Sequence, residues 1–185
     1  MAATLHVAGE RGFQGAHVRH VLQRYGGYRA QFYKHFTCMA DCYRQAYAAE
    51  ADRLCGELLT AGRRHGSWDA GFEAALCELA EFAAERPMVA RGLLLEVHTA
   101  GEPSLRVRRE VFERLSRAID SARRETGSRH SPPPLTAMFI VHLIDAAMVD
   151  SLLREDPARF SPADITELAS AYYDLAPSRA EDMAD

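Results

Sequence analysis

Lysine is nearly missing from this chain: Lys34 is the only one among 22 basic side chains. Strand signals are equally scarce, since no stretch alternates apolar and polar residues between turn signals, and this excludes a sheet-based fold. No apolar run approaches the roughly eighteen uninterrupted residues of a membrane span, because even AMFIVHLIDAAMV is broken by His142 and Asp145. The N-terminus has no basic stretch followed by an apolar run, so no secretory leader is expected. The four cysteines, Cys38, Cys42, Cys55 and Cys77, are therefore expected as thiols of a cytoplasmic protein. Glycine elbows, oxyanion motifs and an evident nucleophile are also missing. His142 and Asp145, three apart on one helix, have the residue types of a general base and its orienting carboxylate, but nothing accompanies them, and an enzyme is not expected. No cofactor or metal is expected either. His35, Cys38 and Cys42 have spacing for three soft ligands, but no fourth is evident.

What is present is helix-forming. Ala, Leu, Arg and Glu dominate 185 residues that are 48% hydrophobic and 26% charged, enough for a core without disulfide staples. The net charge of −4 is uneven: residues 1–50 hold six Arg/Lys against Glu10, Asp41 and Glu50, so +3, leaving −7 for the rest. A basic front and an acidic back suggest a polyanion-facing module joined to a different body. The first fifty residues divide into three short helices, with Gly12 and Gly26 where C-terminal caps belong. In the second, Val18, Val21 and Leu22 form a core-facing stripe and Arg19, His20, Gln23 and Arg24 face out. Long helices are expected over about 38–62, 68–85, 87–99, 104–126, 134–154 and 162–175. Their breaks carry turn chemistry, and Ser161 followed by Pro162 is a helix start.

In GGYRAQFYKHF, a helix opening near Tyr28 turns Phe32 and Phe36 inward, four residues apart. Arg29, Gln31, Tyr33, Lys34 and His35 then project toward bases or phosphates. Two short helices joined by a glycine turn, the second crowded with such side chains, is what a helix-turn-helix presents to a major groove. A solvated surface helix shares much of the same pattern.

ERGFQGAHVRHVLQRYGGYRAQFYKHFTCMADCYRQAY resembles the N-terminal region of the TetR family of bacterial transcriptional regulators, through Glu10-Arg11-Gly12-Phe13, Gly26 and Phe32-Tyr33-x-His35-Phe36. The resemblance implies an all-α protein with a three-helix helix-turn-helix domain at 1–47 and a helical ligand-binding and dimerisation domain at 48–185. It implies base or groove contacts from Arg19, Arg29, Gln31 and Tyr33, and phosphate contacts from Tyr33 and His35. Tyr28 and Lys34 complete the DNA-facing set, and the expected partner is a double-stranded, pseudo-palindromic operator bound by a homodimer, most often for repression. The protein would be cytoplasmic and nucleoid-associated when bound to DNA. The family pattern differs at Ala16 and His17, where a small hydroxyl residue usually opens the second helix, and at Gly27, Tyr28 and Met39, which replace an apolar turn residue, a serine cap and a phosphate-gripping lysine. The family's first helix is also usually longer and follows a basic arm, whereas Met1 falls inside it here. Fewer phosphate contacts imply weaker binding with a shallower salt slope. The alternative reading keeps the body as a dimeric small-molecule-binding protein whose head no longer reads DNA.

For the effector site, polar residues within apolar helices are the clue: Glu96, His98, His142 and Asp145, with Trp68, Phe72, Met138 and Met148 as walls. His142 and Asp145 can equally satisfy each other or a dimer mate. The helix at 134–154 is apolar on more than one face, and the last helix has a similar surplus at Ile165, Leu168, Ala169, Tyr172 and Tyr173, so the last two helices are expected to pair with their copies, the alternative being a wholly intrachain core.

Overall fold

The computed structural model describes residues 2–126, 133 and 135–175, and every regular element among them is helical. The head consists of α1 (Ala2–Arg11), α2 (Val18–Tyr25) and α3 (Arg29–His35). The longer helices are α4 (Met39–Arg63), α5 (Trp68–Glu85), α6 (Pro87–Leu94), α7 (Glu102–Glu125), α8 (Thr136–Arg154) and α9 (Pro162–Leu175). They group into two compact units, residues 1–55 with 81–111 and residues 56–80 with 112–185.

Local chemistry ends each helix where the sequence signals it. Gly12 and Gly26 take φ of 72° and 76°, and the Gly26 amide closes α2 on the Leu22 carbonyl at 2.8 Å. Pro162 opens α9 behind Ser161, whose hydroxyl accepts the Asp164 amide at 3.3 Å. One boundary differs from expectation. The helix expected over 87–99 stops at Leu94 and tightens into a 3-10 turn, Glu96–His98. There the Thr99 amide and hydroxyl both donate to the Glu96 carbonyl, at 3.1 and 3.0 Å. The Glu96 carboxylate is drawn away to the Phe13 amide.

In the first unit α1 crosses α6 with the two backbones in contact. A Cβ on Gly9 would strike the Met88 carbonyl, and one on Gly92 would strike the Leu5 carbonyl. Only glycine permits that approach. Beside the crossing, the buried Tyr43 hydroxyl donates to the Gly92 carbonyl at 2.6 Å, and burial raises its pKa. Glu50 is buried on α4, and its carboxylate accepts from Arg53 at 2.7 Å and Arg86 at 2.5 Å while both guanidiniums lie over the Phe82 ring.

In the second unit Trp68 stacks on Phe72 at 4.8 Å and meets Tyr173 edge-on. Arg123 lies over both Trp68 and Tyr173 and pairs with Asp174 at 2.7 Å, tying α9 to α5 and α7. Helix α8 is long and apolar enough to cross a membrane by length and composition, with a mean hydropathy of 1.6, and only a third of that stretch is buried. His142 and Asp145 at its centre would be expensive in hydrocarbon. Leu135, Phe139 and Leu153 of this segment and Leu168 and Tyr172 of α9 are exposed, and Phe139 stacks on Tyr172 at 5.1 Å. Ala169, expected among the surplus apolar residues, is only 1% exposed within its own chain.

Candidate nucleic-acid interface

The head is held by small apolar contacts. Val7, Ala16 and Val21 form one buried cluster, and Val18, Phe32 and Cys42 form another with Leu22 and Phe36 at its edge. The stripe read on α2 is therefore the face that packs. Phe32 is 6% exposed and its ring lies 5.1 Å from Phe36, so α3 is anchored through the two aromatics that the four-residue spacing turned inward. Met39 packs against both clusters. The position expected to carry a phosphate-gripping lysine is instead part of the core.

The outer surface of α3 carries the remaining side chains. Arg29, Gln31, Tyr33, Lys34 and His35 are all exposed, as is Arg19 on α2, and Tyr28 caps α3 with extended backbone and 82% exposure. Seven residues singled out for DNA thus stand on the solvent side of a helix-turn-helix. The turn is tight because Gly26 and Gly27 both have positive φ, 76° and 158°.

The replacement of a hydroxyl residue at the start of α2 has a local remedy. His17 caps the helix, and its amide donates to His20 Nδ1 at 3.2 Å. Arg19 Nε also lies 3.1 Å from His20 Nε2. A neutral imidazole accepts through one nitrogen only, so in either tautomer only one of the two contacts is a hydrogen bond. Desolvation, then Arg11, Arg19 and His17, lowers the His20 pKa and keeps the ring neutral for either contact. At the start of α4, Asp41 accepts from the Thr37 amide at 3.0 Å and from Gln45 and Arg44, and these bonds, the backbone one foremost, lower its pKa to about 2.

Cys42 is buried, contacts the Thr4 hydroxyl at 3.2 Å, and has its thiol pKa raised by burial, whereas Cys38 is exposed. Among the described residues no three His, Cys, Asp or Glu side chains gather as metal ligands.

The residues considered for an effector are scattered. Glu96 and His98 belong to the first unit, where Glu96 accepts the Phe13 amide at 2.7 Å and His98 is exposed. Trp68, Phe72, Met138, His142 and Asp145 belong to the second. Trp68 and Phe72 are buried together, and the Trp68 indole donates to Ser170 at 3.1 Å. Met138 and Asp145 are half-buried, and His142 is exposed with its ring 5.1 Å from Phe112. Tyr25, which stands where the family usually packs an alanine near the turn, is 74% exposed at the end of α2 and had been given no functional role. Its signal was an aromatic ring outside the apolar stripe.

No family model matches the chain, and no curated protein does. Solved structures do. The fatty acid degradation regulator FadR from Bacillus halodurans aligns over 94% of this chain and 89% of its own, with a TM-score of 0.72 and 13% identity. FadR from Bacillus subtilis, solved in complex with stearoyl-CoA, aligns over 94% and 93%, with a TM-score of 0.72 and 12% identity. The TetR family regulator PfmR from Thermus thermophilus aligns over 93% and 95%, with a TM-score of 0.55 and 20% identity. The chain has the all-α fold of these transcriptional regulators, a helix-turn-helix head followed by a helical body.

Proposed function

We propose that the chain is a ligand-responsive DNA-binding transcriptional regulator, most simply a repressor, that reads a palindromic operator as a homodimer. The observation that carries this reading is α3 itself. One face is buried through Phe32, while Arg29, Gln31, Tyr33, Lys34 and His35 stand free on the other. Arg29 suits a guanine edge and Gln31 an adenine edge, whereas Arg19, Tyr28, Tyr33, Lys34 and His35 suit phosphates and the groove wall. Functionally, residues 1–47 read DNA and residues 48–185 respond to ligand and dimerise.

The exposed apolar surface of α8 and α9 supports dimerisation through those helices, since Phe139, Leu153, Leu168 and Tyr172 otherwise face water. A neighbour solved with stearoyl-CoA supports an effector for the body, with Trp68, Phe72 and Met138 as its candidate walls. Glu96 fits the role of a joint instead: its bond to the Phe13 amide fastens the corner after α1 to the turn after α6. The fold shared with transcriptional regulators supports binding rather than catalysis.

Selection of bound duplexes from a random DNA pool by the full chain tests this reading. An enriched inverted repeat is expected. Arg29→Ala should weaken binding to it by about 1–3 kcal/mol and relax preference at one base pair. Absence of enrichment at low salt would favour the second reading, a dimeric small-molecule-binding protein with a degenerate head, which the loss of the phosphate-gripping lysine at Met39 supports.

A further inference from the structure

The head contains a half-open groove of about 270 Å³ between its buried clusters and the exposed surface of α3. It is lined by residues of all four of the first helices, among them Leu22, Tyr25, Tyr28, Gln31, Phe32 and His35. Apolar side chains form its walls, and Tyr25 and Tyr28, 74% and 82% exposed, stand at either side of the Gly26-Gly27 turn that also borders it. Two large rings left in water beside unfilled apolar space favour a flat aromatic guest. A cavity of about 150 Å³ takes benzene, so this one suits a guest of one or two rings.

The charge around the groove defines the guest further. None of the residues lining it carries a carboxylate; of their charged chain neighbours, Arg24, Arg29 and Lys34 beside Tyr25, Tyr28 and His35 are exposed, whereas Asp41 beside Cys42 is already engaged by Arg44 and Gln45. Gln31 and His35 add hydrogen-bonding groups, and the nearby Thr4 hydroxyl is already engaged with Cys42. The polar end of a guest would therefore meet donors and positive potential.

We propose that this groove is an effector site for planar aromatic carboxylates, built into the DNA-reading head and separate from any site in the body. Occupancy opposes DNA binding, because Tyr28, Gln31 and His35 belong both to the groove and to the DNA-facing surface. That antagonism, though not the binding, rests on the DNA reading proposed above.

The probe is 2-naphthoate, titrated into isotopically labelled full chain and followed by NMR. Saturable shifts are expected at Leu22, Phe32 and Tyr28. Tyr25→Ala should weaken binding about three- to tenfold. Its circular dichroism should stay unchanged because the ring is exposed, and the uncharged 2-naphthamide should bind more weakly than the acid. On a selected duplex, 2-naphthoate should release the wild-type chain at lower concentration than Tyr25→Ala. The site is refuted if no saturable shift appears at Leu22 and Phe32 up to about a millimolar, if shifts fall only around Trp68 and Met138, or if Tyr25→Ala binds as well as wild type. Naphthamide binding as tightly as the acid would overturn the charge assignment. Saturable groove binding that leaves the DNA complex intact would overturn the antagonism. Groove binding by a chain that selects no duplex would count against the DNA reading and leave the site standing.

Discussion

Replacing Gly92 by alanine adds one methyl group at a helix crossing that has no room for it. The new Cβ would point at the Leu5 carbonyl oxygen and lie 2.7 Å from its carbon and 3.0 Å from Leu5 Cα. These are backbone atoms of α1, which cannot turn aside as a flexible side chain would. In an open helix alanine is favoured over glycine by about 1 kcal/mol. Here that gain is opposed by overpacking, about 1–3 kcal/mol. The Tyr43 bond to the Gly92 carbonyl, worth about 1 kcal/mol, is lost as well if the helices part. The net expectation is a destabilisation of about 1–3 kcal/mol. Gly56, exposed on α4 with nothing within 4 Å of where a Cβ would stand, provides the opposite sign: Gly56→Ala should gain about 0.5–1 kcal/mol. Urea unfolding reads both through the midpoint at constant slope. Gly9→Ala meets Gly92 and Met88 across the same crossing, so the double variant should depart from additivity. A Gly92→Ala chain as stable as wild type would refute the close backbone approach.

Other perturbations test the remaining pieces. Phe139→Glu places a charge on the exposed α8–α9 surface and should shift sedimentation toward monomer with helix content retained, whereas Ala169→Glu, buried within its own chain, should unfold the protein instead; an intact Phe139→Glu dimer would move the interface elsewhere. Lys34→Ala should weaken DNA binding similarly across sequences and reduce the salt slope by about 1, read by titration at several salt concentrations. Burial raises the Glu50 pKa, but hydrogen bonds from Arg53 and Arg86 outweigh it and leave the net shift downward. A depressed carboxylate stabilises the fold above its unfolded pKa, and that contribution disappears as pH falls through the folded value. Thermal melts should therefore show wild type losing stability on acidification below the ordinary carboxylate range, and Glu50→Gln should be less stable at neutral pH with a flatter acid limb.

Helix existence and the split of α3 into a buried and an exposed face were legible in the sequence because both rest on short-range rules. Gly12 and Gly26 sit where left-handed caps are needed, Val18 and Val21 share a face by helical spacing, and Phe32 and Phe36 do the same. Exposure of Arg29, Gln31, Tyr33, Lys34 and His35 follows from those anchors. Contacts between residues far apart in the chain were not legible, because periodicity carries no information about which face meets which. Glu96 was read as a possible ligand group, and its carboxylate accepts from the Phe13 amide 83 positions away, a contact no local pattern announces. Ala169 was read as surface, yet its own chain buries it. Met39 was read as a lost phosphate contact, and its half-buried side chain packs against both clusters of the head, a contact the sequence did not show. The sequence by itself thus determined helices, turns and which side chains of α3 face solvent, through local backbone preference. Only the tertiary structure decided the glycine crossing of α1 with α6, the Glu50–Arg53–Arg86 network and the groove behind α3, since each depends on packing between distant segments.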